Sequence, residues 1–196
     1  MCNGCDLRIS SVDMRKLVVF AMLFASVAAA QQTHKEYEPP TAAGAGQKLL
    51  EQFVGDWEMT KTFYPATGKP TVTKGTVKQF MVQGGKFMES DFVFFDPDGS
   101  KSTGVGIIGF DAKTNKFTSF WYDSTKTSFS IRQSDGTFDG TSIVLWATSL
   151  DPDRPGHKSV ARAHLEENGH VLVHRHSSID DQGNERLVLE WRMTKK

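Results

Sequence analysis

The amino-acid sequence predicts an all-β protein: an antiparallel up-and-down β-barrel of about ten strands, preceded by one short helix. Three observations carry the prediction. From Asp56 onward the chain runs in stretches of about eight to twelve residues rich in Val, Thr, Phe, Trp and Ile. Each stretch ends in a turn cluster: Pro65 to Lys69, Gly84-Gly85, Asp96-Pro97-Asp98-Gly99, Asp111 to Asn115, Asp123 to Lys126, Asp135-Gly136, Asp151 to Gly156, Asn168-Gly169 and Asp181-Gln182-Gly183. These connections are too short for parallel crossovers, so consecutive strands are antiparallel neighbours, and rolling the sheet shut removes its two exposed edges.

At the N-terminus, Met14-Arg15-Lys16, the apolar run Leu17 to Val27 and Ala28-Ala29-Ala30 form the three parts of a secretory signal. The mature chain is expected to begin at Gln31 and to be exported, either periplasmic or secreted. The apolar run stops within ~14 residues, short of the ~20 that span a bilayer, so no stable membrane anchor is expected. Residues Met1 to Asp13 carry Asp6 and Asp13 ahead of the positive start, which suits Met14 as the true initiator. Cys2 and Cys5, the only cysteines, lie in this discarded part; a zinc site needs about four ligands, so their C-x-x-C spacing is not read as a metal site.

Gln31 to Gly46 has no periodicity and reads as a flexible leader. Gln47 to Val54 sets Leu49, Leu50, Phe53 and Val54 at helical spacing and stops at Gly55, the expected left-handed cap. Residues 47–196 are expected to form a single barrel domain. Lys and Arg total 23 against 23 Asp and Glu, a formal charge of zero with both signs scattered, so nucleic acid is not an expected partner.

The last three strands permit a register argument. A two-residue loop at Asn168-Gly169 pairs Leu165 with Leu172, His164 with Val173, Ala163 with His174 and Arg162 with Arg175. A three-residue loop at Asp181-Gln182-Gly183 pairs Val171 with Met193, Val173 with Trp191 and Arg175 with Leu189; a four-residue loop sets Arg175 opposite Glu190. The first gathers the apolar residues on one face and is preferred. The lumen is then expected to show Val160, Arg162, His164, Val171, Val173, Arg175, Leu187, Leu189, Trp191 and Met193. Two facing arginines in an apolar interior require a counter-charge. A ligand carboxylate would supply it; the alternative is an open, solvated end, or an internal acid such as Asp123 or Glu89.

The same register turns His174 and His176 outward. Such an H-x-H pair can hold zinc or copper, or one imidazole can ligate haem, but no third ligand is in view, and neither metal nor cofactor is expected. Trp121 and Asp123 share one face of the fifth strand with Phe117, while Phe120 and Tyr122 take the other, a candidate homodimer surface. Asp96-Pro97-Asp98-Gly99 lacks the distal ligands of a calcium loop and reads as a turn. The mature chain contains no nucleophile elbow, H-E-x-x-H, phosphate loop or dinucleotide fingerprint.

Leu50-x-x-Phe53-x-Gly55-x-Trp57, Gly84-Gly85-Lys86-Phe87, Gly106 to Asp111, Thr114-Asn115-Lys116-Phe117 and Trp121-Tyr122-Asp123 together resemble a bacterial family of uncharacterised proteins with calycin-like barrels, over about Leu49 to Lys196. The helix leading into Gly-x-Trp is also similar to lipocalins and fatty-acid-binding proteins. The resemblance implies a barrel with an internal pocket and no established reaction. Here Lys86, Phe110 and Met193-Thr194-Lys195-Lys196 depart from the Arg, Tyr and Tyr-x-Arg-Lys frequent in that family. The leading expectation is an exported barrel enclosing a small, mostly apolar or amphipathic molecule, an acid among the candidates. Trp57, Trp121 and Trp191 would contact it, with Arg162, His164 and Arg175 toward its polar end. An enzyme using Asp123 or His164 as acid or base, or a dimeric interaction barrel with a filled core, are the alternatives.

Overall fold

The structure, a computed structural model, describes residues 44–149 and 155–196. The signal-like segment, Cys2, Cys5, most of the leader, and Asp151 to Arg154 of the seventh turn cluster lie outside the described residues.

One helix, α1 (Ala45–Phe53), leads into ten strands: β1 (Gly55–Phe63), β2 (Thr71–Val82), β3 (Phe87–Phe95), β4 (Lys101–Asp111), β5 (Lys116–Asp123), β6 (Ser130–Gln133), β7 (Ser142–Thr148), β8 (Lys158–Glu166), β9 (Val171–Ile179) and β10 (Glu185–Lys195). Each strand pairs antiparallel with the next, and β1 pairs with β10, which closes the barrel. The predicted all-β, up-and-down architecture with one short helix is therefore the architecture found. Its thinnest seam lies between β6 and β7, matched at Gln133↔Trp146.

The turn clusters work because aspartates bind backbone two residues on. Asp98, Asp111, Asp123, Asp135, Asp139 and Asp180 accept hydrogen bonds from the amides of Ser100, Lys113, Thr125, Thr137, Thr141 and Gln182, at 2.8–3.0 Å. A short carboxylate reaching back to the chain holds the reversal in place. Gly55 is not the helix cap expected of it; α1 ends at Phe53 with Val54 extended, and Gly55 already belongs to β1.

The helix fills one end of the barrel. Leu49, Leu50 and Phe53 are buried in one apolar cluster with Trp57, Met59 and Phe117, and the Gln47 side-chain amide donates to the Phe110 carbonyl at 2.8 Å. That bond and the apolar stripe of α1 pin the helix across the end where β1 begins.

The β8–β9 register is the predicted one, Arg162↔Arg175 and Ala163↔His174 included. The β9–β10 hairpin also turns as predicted: Asp180 N donates to Asn184 O at 3.1 Å around Asp181-Gln182-Gly183, with Gly183 at φ 86°. The pairing runs true through Ser177↔Leu187 and then shifts by one, because Val188 is an extra residue between Leu187 and Leu189. Its carbonyl accepts from the Tyr64 amide of the β1–β2 connection at 2.8 Å. Beyond this bulge Arg175 faces Glu190, and Trp191 faces His174. Since side chains alternate, one extra residue exchanges the two faces of β9 relative to β10. The expected lumen face of β8 and β9 is therefore the outer wall, and the face expected outside, with His174 and His176, looks in.

Candidate ligand cavity in the barrel lumen

The barrel encloses a cavity of about 410 Å³ running from Phe53 at the helix end to Thr125 and Lys126 at the other. Its walls are aromatic. Phe92 and Phe94 alternate inward from β3, Trp121 from β5 and Trp191 from β10, and their ring centroids lie 4.9–6.4 Å apart in stacked, tilted and edge-on pairs. Gly104 makes room for this: a Cβ there would stand 2.5 Å from the Trp121 ring, so only glycine lets the indole lie against β4.

Polar groups interrupt the apolar wall at a few points. Arg132 of β6 lines the cavity, is largely buried, and makes no ion pair among the described residues; its Nε has no hydrogen-bond partner. Burial lowers the guanidinium pKa, but arginine starts so high that it stays charged. The His174 ring stacks on Trp191 at 4.8 Å and 23°. Burial, then the positive charge of Arg132, then His176 push the His174 pKa down to about 3, so its imidazole is neutral at physiological pH. Two more lining residues each carry a buried atom with no partner: Trp191 Nε1, a donor, and Gln79 Oε1, an acceptor. The Gln79 amide nitrogen is occupied, donating to Ser90 Oγ at 3.1 Å. An unmet buried polar atom costs about 1–3 kcal/mol, and a buried unpaired charge more.

Asp123, Lys61 and Lys126 also line the cavity. Burial raises the Asp123 pKa, but hydrogen bonds from Thr125 and Trp121, with Lys126 nearby, outweigh it and hold the carboxyl below its ordinary range. Trp121 Nε1 donates to it at 3.0 Å. Lys61 lies over the Phe94 ring at 4.8 Å. With Arg132, the charged lining groups are three cations against one anion that already accepts hydrogen bonds from Trp121 and Thr125.

Of the residues singled out from sequence, Trp121 and Trp191 stand on the cavity wall. Trp57 is fully buried below it, donating through Nε1 to the Phe53 carbonyl at 3.0 Å, and forms the floor with α1. Arg162, His164 and Arg175 are on the outer wall, the correction that the Val188 bulge imposes. There Arg162 grips Glu185 through both terminal nitrogens at 2.6 and 2.8 Å, Arg175 Nε donates to Glu190 at 2.7 Å, and His164 bonds Glu166 at 3.1 Å. Their counter-charges are surface carboxylates rather than a ligand, and exposed pairs of this kind contribute little. Phe120, Tyr122, Phe129 and Ile131 are exposed, and the described residues supply no second apolar environment for them.

Sequence reasoning missed Arg132, the His174 and His176 pair as lumen groups, and Gln79. The signal for Arg132 was its place in Ser130-Ile131-Arg132-Gln133, where period-two alternation sets it on the face opposite exposed Ile131.

No curated protein matches the sequence. Among solved structures, Rv2717c from M. tuberculosis superposes with a TM-score of 0.55 at 15% identity, covering 80% of this chain and 99% of its own. The S-type phycobiliprotein lyase CPES from Guillardia theta gives a TM-score of 0.50 at 11% identity, covering 77% of this chain and 92% of its own. At such identities the likeness is one of fold. Residues 42–195, which include the helix, every strand and all the cavity residues above, match one family along their whole length: the chain belongs to DUF1579, a family of proteins of unknown function.

Proposed function

We propose that this protein is an exported barrel that holds a small, mostly apolar carboxylic acid in its lumen. The observation that carries the reading is Arg132: a largely buried, charged guanidinium with no carboxylate partner among the described residues, set in a cavity walled by Phe92, Phe94, Trp121 and Trp191. A fork of N–H donors in apolar surroundings recognises a carboxylate in both charge and shape. The excess of cationic lining groups supports the same sign, and a cavity of this size suits one compact ligand. The Met14 to Ala30 pattern supports export.

Titration of the purified protein with 2-naphthoic acid and with 2-naphthamide, read by the fluorescence of Trp121 and Trp191, tests the reading. The acid is expected to bind about ten to a hundred times more tightly, the difference a charge-assisted hydrogen bond makes. Arg132→Leu should abolish the preference and, because it removes a buried unpaired charge, raise the thermal midpoint of the unliganded protein. Equal binding of acid and amide, or binding of neither, overturns it.

A further inference from the structure

The outer wall of the barrel carries an apolar face that the lumen does not explain. On β5 Trp121 turns in, so alternation sends Phe120 and Tyr122 out. Phe120 pairs with Ile131 of β6, and its ring lies 6.2 Å from that of Phe129. Gln133, two residues beyond Ile131 and on the same face, pairs with Trp146 of β7. Five large side chains therefore make one patch across three neighbouring strands. Each is 40–60% exposed. At about 200 Å² for a large side chain, those fractions leave roughly 450 Å² of apolar surface bare, the size at which a patch marks an interaction surface. Gln133 donates to Thr118 Oγ1 at 3.0 Å, so the polar groups set among the rings are uncharged and already bonded to each other.

We propose that a second copy of this chain covers the face, in a two-fold dimer that sets β5, β6 and β7 of one barrel against the same strands of the other. The area favours a copy. Two such patches bury about 900 Å² between them before their polar borders are added, close to the ~1,000 Å² at which specific association begins. The chemistry favours it too: the face holds no charge for an oppositely charged partner to answer, and a convex barrel wall offers no groove to an extended peptide. A two-fold axis needs only a surface that complements itself, which flat aromatic rings supply. The position gives the dimer a consequence. β6 has four residues and is matched to β7 at the one pair Gln133↔Trp146 among the described residues. A partner seated across β5 to β7 spans that seam and braces the strand that carries Arg132. The inference is independent of the acid-binding reading.

Sedimentation equilibrium of the full-length mature chain tests it. The parent is expected to dimerise in the micromolar range, as small interfaces do. Phe120→Lys and Ile131→Lys each put a cation into the uncharged face of both copies and should each weaken the dimer at least about thirtyfold. Val72→Lys, at an exposed apolar position on β2, should leave it unchanged. A parent that stays monomeric at about 100 μM, where an interface of this class is occupied, overturns the inference. So does a dimer that both lysine variants preserve. A monomer that co-sediments with vesicles of phosphatidylcholine and phosphatidylglycerol assigns the face to a lipid surface and overturns it equally. Hydrogen exchange on the unaltered protein decides the matter even where a lysine variant folds poorly: the amides of β5 and β6 should exchange more slowly as protein concentration rises, and rates independent of concentration there overturn the inference.

Discussion

Three side chains that line the cavity are each defined by what they lack. Arg132 has charge without an anion, Gln79 an oxygen without a donor, and His174 a ring enclosed where a proton is unwelcome. The last has a consequence for stability. The folded-state pKa of His174, about 3, lies below the ordinary 6.5. Between those values the unfolded chain binds a proton that the native barrel refuses, so stability falls as pH is lowered through that window. The aspartates and glutamates held below their ordinary range, Asp123, Glu166 and Glu185 among them, also weaken the fold in acid, but at lower pH, as they are forced to protonate. The upper part of the window belongs to the histidine. His174→Phe keeps a ring on Trp191 and is expected to flatten the loss of stability between pH 6.5 and 5 by up to about 1.4 kcal/mol per pH unit. Urea unfolding across that range measures it; identical slopes for variant and parent would show that His174 is not held neutral.

At the scale of elements, the β9–β10 hairpin carries two devices with different sequence visibility. Its turn is local chemistry: Asp180 accepts from the amides of Gln182 and Asn184, and Gly183 takes φ 86°, a region other residues enter at a cost. A Cβ at Gly183 would meet nothing within 4 Å, so Gly183→Ala is a purely conformational change. It is expected to destabilise the barrel by about 1 kcal/mol, seen as a lower urea midpoint at unchanged slope. The bulge at Val188 is a tertiary device. Val171, Leu172 and Val173 are all buried, so β9 shows no alternation to tell which side is the lumen. The choice is made by β10, whose Leu189, Trp191 and Met193 line the cavity, and by the Tyr64 amide that captures the bulged carbonyl.

For the whole molecule, closure and flooring are separate tasks. The pairing of β1 with β10 closes the sheet, and α1 with Trp57 seals one end. Leu50 is fully buried there, so Leu50→Ala should cost about 2–5 kcal/mol, the usual range for an aliphatic cavity mutation. Calorimetric melting checks the magnitude; a loss under about 0.5 kcal/mol, as at surface sites, would mean that the helix does not pack on the barrel floor.

The sequence by itself determined the strand count, the antiparallel order, the helix, the turns and the family likeness, because each depends on residues within a few positions of one another: alternation, turn aspartates, glycines. It also picked out Trp121 and Trp191, which stand on the cavity wall. Only the tertiary structure decided which side of β8 and β9 faces the lumen. It moved Arg162, His164 and Arg175 to the outer wall, where Glu185, Glu166 and Glu190 meet them, and it brought Arg132, His174 and Gln79 inside. The physical reason is that a strand's two faces differ by one residue of register, and that residue, Val188, is stabilised by a contact from Tyr64, far away in sequence.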